Sequence, residues 1–289
     1  MRTTPRHVTV YGNDHSPWVQ AVLLGLHERG IAHTLVTVPP LRVFLEAGVL
    51  MPAARLDDGP WMHDSAEILA ALGYPAVPEE TARDLMKLFL SSALRRTDST
   101  RTFWTRFSFA RDDHPNLLRR HWNHFWRAFS ILYFFTLIKF GGSRIGSGDP
   151  EAGFRAMQSL QARIAASGDF LGGAAPDTAD LQLFGLVQMF SSIPVPELDR
   201  LKTDPDLDGL RGWVGRMQGR CADYDHLYSA GDYPPAHPAP RTATPSERGA
   251  FWSGAATMWL AFPITIPLTV FYVARVRALT RRRQRAAQA

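Results

Sequence analysis

The residues able to do chemistry gather in the first quarter of the chain. In Tyr11-Gly12-Asn13-Asp14-His15-Ser16-Pro17-Trp18-Val19 a serine separates two kinds of pattern. Before it runs a short apolar stretch ending at Tyr11, read as a buried strand over 8–11. After it, Val19, Val22, Leu23, Leu26 and Ile31 recur at helical spacing, and Gly30 can end the helix. Pro17 suits the first helical turn, where its missing N–H would have had no partner. Ser16 is therefore expected at a helix N-terminus, where unpaired N–H groups and the positive dipole end favour an anion. A hydroxyl there can donate to such an anion and favour its charged form. It can also simply cap the helix, and the two roles are compatible.

Two further pairs stand out. Met51-Pro52 is an X-Pro bond, the kind that adopts cis far more readily than others. An ordinary strand-edge proline is the other reading. Asp64-Ser65 lies before a helix expected over 65–72, ending at Gly73, and a plain cap also explains it. Trp18 either lines a cleft or packs a domain seam. His121 and His124 stand three apart on a helix, but no carboxylate-rich motif accompanies them, so no metal is expected. Cys221 is the single cysteine, which excludes an internal disulfide, a Cys-X-X-Cys pair and a thiolate zinc cluster. It is expected to be inert, in a reducing compartment. Asp177 and Asp180 have capping-box spacing.

The elements that must position these groups follow a clear order. Strand, helix and a second strand at 35–38 come first, then a short helix at 41–47. Hairpin strands at 53–56 and 61–62 surround Asp57-Asp58-Gly59, and the helix at 65–72 completes a βαβ–ββα unit. Helices are expected near 79–110, 115–140, 151–167, 178–192 and 206–222. This divides the chain into an α/β domain over 1–77, an all-helical domain over 78–230 and a Pro-rich linker over 231–248. Residues 249–274 then run without a charge, long enough to cross a bilayer core of about 30 Å. Trp252 and Tyr272 lie near the ends, where amphipathic rings favour the interface, and Pro263 and Pro267 are expected to kink the segment. The stretch 122–140 is apolar all round and reads as a buried bundle helix or a membrane-docking surface. The N-terminus lacks the long apolar core of a secretory signal.

Net charge is +5, but six arginines (275, 277, 281, 282, 283 and 285) lie in a basic tail, 275–289, that has no acid. Without them the rest stands at −1, so no nucleic-acid partner is expected. The positive-inside rule would put the tail in the cytoplasm, yet without a secretory signal the main domain is expected there too. Either the segment inserts as an anchor against the charge rule, or it bends at its prolines and returns. Residues 1–230 hold both the α/β and the helical domain, so the chain without 249–289 is expected to fold alone.

Residues 7–225 resemble the glutathione S-transferase superfamily, on motifs in the expected order: "YGNDHSPWV", Met51-Pro52, "HDSAEIL", "GDFLGGAAPDTADLQLFG" and "LRGWVGRM". The resemblance implies a thioredoxin-like N-terminal domain and an all-α C-terminal domain, here followed by a transmembrane or membrane-inserted helix. It implies that Ser16 contacts the glutathione sulfur and that the Met51 backbone, turned by a cis Pro52, pairs with the cysteinyl backbone. Asp64 and Ser65 would grip the γ-glutamyl group. "VTVPPLRV", "HDSAEILAAL" and "TADLQLFGLVQ" resemble the membrane-associated prostaglandin E synthase type 2 branch. That branch carries Cys-Pro-X-Cys where this chain has Ser16-Pro17-Trp18-Val19, so its isomerase chemistry is not implied. The function implied is a membrane-anchored, glutathione S-transferase-like protein, its main domain cytoplasmic, conjugating or binding glutathione or a related thiol with apolar electrophiles. A catalytically inactive scaffold on the same fold is the alternative. The lipid bilayer and a homodimer partner, as the family often forms, complete the expected partners.

Overall fold

A computed structural model describes residues 5–13, 16–91, 115–145, 151–192, 196–224 and 243–288, with backbone alone at 134–145, 192, 196–197 and 282–288. Strand β1 (His7–Tyr11) is central to a sheet of order β2-β1-β3-β4. It pairs in parallel with β2 (Ala32–Val36) and antiparallel with β3 (Ala53–Leu56), and β3 pairs antiparallel with β4 (Trp61–Met62). Helices α1 (Pro17–Glu28) and α3 (Ser65–Ala71) supply Val22, Leu23, Ile68 and Leu69 to the same core as Val8 and Val10. On the other face, Val43 of α2 (Leu41–Ala47) packs with Tyr11, Ala53 and Trp61. This is a thioredoxin-like α/β layer, in the βαβ–ββα order read from the sequence.

The second strand differs from expectation. Its ladder with β1 begins at His7–Ala32 and ends at Tyr11–Val36, so Thr37 and Val38 pass out of the sheet and Val38 is exposed. An apolar β-branched run signals a strand but not its register.

The rest is helical: α4 (Glu79–Ser91), α5 (Leu117–Ile145), α6 (Ala152–Ser167), α7 (Thr178–Ser192), α8 (Pro196–Thr203), α9 (Asp208–Arg220) and α10 (Pro245–Gln288). The expected helix beyond Ser91 lies outside the described residues. A 3-10 turn at Pro205–Leu207, capped by Asp204, precedes α9, so the helix starts later than the sequence pattern suggested. Asp177 caps α7, its Oδ1 accepting from the N–H of Ala179 at 2.7 Å and of Asp180 at 3.2 Å. Asp180 is fully buried and does more than close a capping box. Its carboxylate accepts from the N–H of Leu171, Gly172 and Asp177 at 2.9–3.0 Å and from the Trp213 indole at 2.8 Å. Burial pushes this carboxyl above its usual range, against the pull of those four donors.

The two halves meet where α1 crosses α7. A Cβ on Gly185 would stand 2.3 Å from the Pro17 carbonyl oxygen, so the two backbones touch there. At a second point the Tyr224 hydroxyl lies 3.2 Å from His33 Nε2, and Arg220 Nε donates to Glu28 at 3.2 Å.

The C-terminal helix corrects two expectations. It begins at Pro245, inside the stretch read as linker, and stays helical through Pro263 and Pro267. Thr244-Pro245-Ser246-Glu247 is a capping box with proline at the first helical position: Glu247 Oε2 accepts from the Thr244 N–H at 2.7 Å, and Thr244 Oγ1 accepts from the Glu247 N–H at 3.3 Å. Nor is α10 separate from the folded body. Phe251, Ala255 and Met258 are buried in the main core, and Gly254 fits against the Phe125 carbonyl, which a Cβ would approach to 2.1 Å. Removing 249–289 would uncover that core, so the remainder does not stand as a closed unit.

Asp180→Ala would leave the buried Trp213 indole and three partly buried backbone N–H groups without their acceptor. It should cost about 3–5 kcal/mol, since each unsatisfied buried group costs roughly 1–3 kcal/mol. At about 2–4 °C per kcal/mol for a chain of this size, the melting temperature should fall by ~10 °C. Thermal unfolding followed by circular dichroism checks this, and a shift under ~2 °C would contradict the assigned network.

Candidate functional site

The sheet topology alone assembles the site. Ser16 follows the C-terminal end of β1. Ala53, opposite Tyr11, opens β3, so Pro52 stands beside the same end. Met62 of β4 pairs with Ala54, which carries Asp64 and Ser65 to that end as well. All five residues singled out in the sequence therefore belong to one edge of the domain, although they come from three separated segments. Contact between two of these is direct: the Asn13 N–H donates to Met51 Sδ at 3.3 Å.

Ser16 has extended backbone angles and its N–H donates to the Asn13 carbonyl at 2.9 Å. Its own carbonyl accepts the first helical bond, from Gln20, at 2.9 Å. The half-buried side chain makes no capping hydrogen bond. The plain-cap reading is thus not what this hydroxyl does. The turn is tight: a Cβ on Gly12 would stand 2.4 Å from Val19 Cγ2, so Gly12 lets the loop lie against α1. Nearby Tyr11 is buried, its hydroxyl reaching toward the Val49 carbonyl at 3.4 Å, and burial pushes its phenol upward. It stays protonated and turned away from solvent. Asp14 and His15 lie outside the described residues. Trp18 meets Phe89 of α4 edge-on at 5.7 Å, which places it at the domain seam.

The Met51–Pro52 peptide is cis. Pro52 is buried, and Met51 lies ahead of β3, outside the ladder. Asp64 caps α3 by accepting from the N–H of Ala66 at 2.9 Å and of Glu67 at 3.1 Å. Both bonds use Oδ1, so Oδ2 takes no part in the cap. Ser65 is the half-buried first residue of α3.

Sequence reasoning missed a supporting pair. His63 Nε2 lies 2.9 Å from Glu46 Oε2, and Arg42 Nε donates to Glu46 Oε1 at 3.1 Å. Burial works to raise the Glu46 carboxyl, but the bonds from His63 and Arg42 outweigh it and hold it below the usual range. The pair ties α2 to the residue just before Asp64. Its only sequence signal was a histidine beside a cap, which carries no information about a partner 17 positions away.

The other candidates fall outside the site. Burial pushes the Cys221 thiol up to about 12, so it stays an unreactive thiol at neutral pH. His121 is half-buried and 2.8 Å from the Leu117 carbonyl, whereas His124 is fully buried, so the two face different surroundings. Among the described residues, no cluster of three or more His, Cys, Asp or Glu side chains is placed to hold a metal ion.

Residues 15–73 match the family model described as glutathione S-transferase, N-terminal domain. Among solved structures, a glutathione transferase family member from Pseudomonas fluorescens Pf-5, with bound glutathione, is 18% identical, with 73% of this chain and 94% of that one covered and a TM-score of 0.41. The theta class glutathione S-transferase from Xanthomonas axonopodis pv. citri is 17% identical, with 78% and 99% covered and a TM-score of 0.41. A possible glutathione S-transferase from Rhodopseudomonas palustris is 15% identical, with 76% and 95% covered and a TM-score of 0.40. No curated protein matches the chain.

Glu46 has a lowered carboxyl, so its contribution to stability is present above its unfolded value of about 4.5 and is lost as pH falls through the folded value. Glu46→Gln should therefore be less stable than the parent at pH 7, by about 1 kcal/mol, and the gap should close in acid. Melting curves at pH 7 and in steps below pH 5 test this. A gap that does not change with pH would show that the charge plays no part.

Proposed function

We propose that this protein binds glutathione, or a related thiol, at the edge formed by Ser16, Met51, Pro52, Asp64 and Ser65, and joins it to apolar electrophiles. One observation carries the reading: the three ligand-gripping segments meet at one end of the sheet, with the Ser16 hydroxyl left out of the helix cap. In this reading the Met51 backbone pairs with the peptide of the thiol ligand. Asp64 Oδ2 faces its ammonium group and the Ser65 hydroxyl its carboxylate. The thiol proton leaves to solvent as the ligand binds. The Ser16 hydroxyl donates to the sulfur, and the N-terminus of α1 adds its positive end. Each unit by which the thiol pKa falls corresponds to about 1.4 kcal/mol favouring the thiolate. The sulfur lone pair then forms the S–C bond, and the displaced electron pair leaves with the leaving group or takes a proton. No protein thiol takes part, because a serine stands at the turn.

The membrane is part of the proposal. Among the described residues, one helix, Pro245–Arg281, is long and apolar enough to cross a bilayer, with mean hydropathy 1.6 in its best window. Attachment there would hold the site where apolar electrophiles partition, with the main domain in the cytoplasm among reduced thiols.

Titration calorimetry of the full chain in detergent with glutathione should give saturable heat. Ser16→Ala should lower kcat by about 10–100-fold and change KM by less than threefold, because a group acting in the transition state lowers kcat more than it raises KM. Asp64→Asn keeps an oxygen for the α3 cap and removes the charge, and should weaken thiol binding by about tenfold. Binding without turnover in the parent chain would mark a scaffold. No binding heat would contradict the whole reading.

A further inference from the structure

The membrane reading above leaves open how the apolar helix meets the bilayer, and the packing of α10 constrains the answer. The helix is held to the body along most of its length. Arg120 of α5 pairs with Glu247 at 3.2 Å, and Phe251 and Met258 are fully buried. Thr269 is buried and hydrogen-bonded to Tyr133 of α5. Farther on, the Tyr272 ring lies against Gly48, at the end of α2 in the α/β domain, where a Cβ would stand 2.7 Å from it. From residue 251 to residue 272 is 21 steps, about 32 Å at ~1.5 Å per residue. That equals the depth of a bilayer core, about 30 Å. The body thus touches both ends and the middle of the stretch that would have to span. An upright crossing would carry buried Arg127, the Arg120–Glu247 pair and the edge of the α/β domain into hydrocarbon, where charged groups are costly.

The face of α10 turned away from the body has the opposite character. Trp259, Leu260 and Ile264 are 67%, 84% and 73% exposed. Beside it, α5 buries His124 and Arg127 together with Ala128, Leu132 and Tyr133, while Trp122 is exposed and stacks with half-buried Trp126 and Phe125. An aromatic row ending in exposed Trp122, beside the exposed apolar face of α10, fits a lipid surface rather than water. At the end of the apolar run, Arg275, Arg277 and Arg281 are exposed, placed to meet anionic headgroups.

We infer that α10 does not cross the bilayer but lies along its plane, its outward apolar face and the aromatic row of α5 sunk into one leaflet, so that the α/β domain and the basic tail stand on the same side. This rests on the membrane reading above and specifies its geometry. It also removes the conflict between the tail charge and the thiol-using domain, since neither has to be translocated.

The test uses the full chain in host-cell membranes with one cysteine added at a time, either Asp58→Cys in the exposed turn before β4 or Arg281→Cys near the end of α10. Cys221 is buried, so the parent chain gives the blank. A membrane-impermeant maleimide is added to spheroplasts and to inside-out vesicles. Both cysteines should label in inside-out vesicles and neither in spheroplasts. Labelling from opposite sides would show that α10 spans, overturning the in-plane geometry while leaving membrane attachment standing. A parent chain recovered in the soluble fraction, alone or as a dimer closed over this face, would overturn both. As a second measurement, Leu260→Glu/Ile264→Glu should lower the membrane-bound fraction at least about tenfold with unchanged circular dichroism, and an unaltered bound fraction would contradict the assigned face.

Discussion

The close approach of α1 and α7 at Gly185 is the contact on which the rest depends. With a Cβ excluded at 2.3 Å from the Pro17 carbonyl, the N-terminus of α1 rests on the backbone of α7 rather than on a side chain. A backbone-to-backbone contact leaves little room for adjustment, because interiors are close-packed and no flexible group can absorb a shift. Ser16 immediately precedes that contact. Its position is therefore set from two directions, by the strand that delivers it and by the helix against which the next residue is pressed.

The same helix explains how Asp180 can be buried. Its four donors come from the loop before α7, from the cap residue and from Trp213 of α9. They fix where α7 begins, and Gly185 lies about two turns later. A network in the helical domain thus controls the placement of a hydroxyl in the α/β domain. The His63–Glu46 pair does a similar thing within the α/β domain, holding α2 to the start of α3.

Much of this was legible in the sequence, for identifiable reasons. The hairpin at 53–56 and 61–62 and the helices at 41–47 and 178–192 have sharp punctuation, and the structure places them where the sequence did. Ser16-Pro17, Met51-Pro52 and Asp64-Ser65 could be named because each has a local signature. What could not be read was whatever depends on a distant partner. The register of β2 is decided by β1, and the partner of His63 by the packing of α2. Thr244-Pro245-Ser246-Glu247 did carry a local signal, a capping box, which the run of prolines before it obscured. The outward aromatic face of α5 was ambiguous because periodicity shows that a face is apolar, not what it faces.

The central claim is that Ser16 stabilises a thiolate which belongs to the ligand. The most direct measurement is the ultraviolet absorbance of the thiolate, followed against pH for the full chain saturated with glutathione, in parent and Ser16→Ala proteins. The account predicts that the bound thiol ionises at least about one unit below the ordinary thiol value of ~8.5, and that Ser16→Ala moves the midpoint back toward it. A bound thiol that titrates at its free value in the parent, or a midpoint unmoved by the substitution, would contradict it.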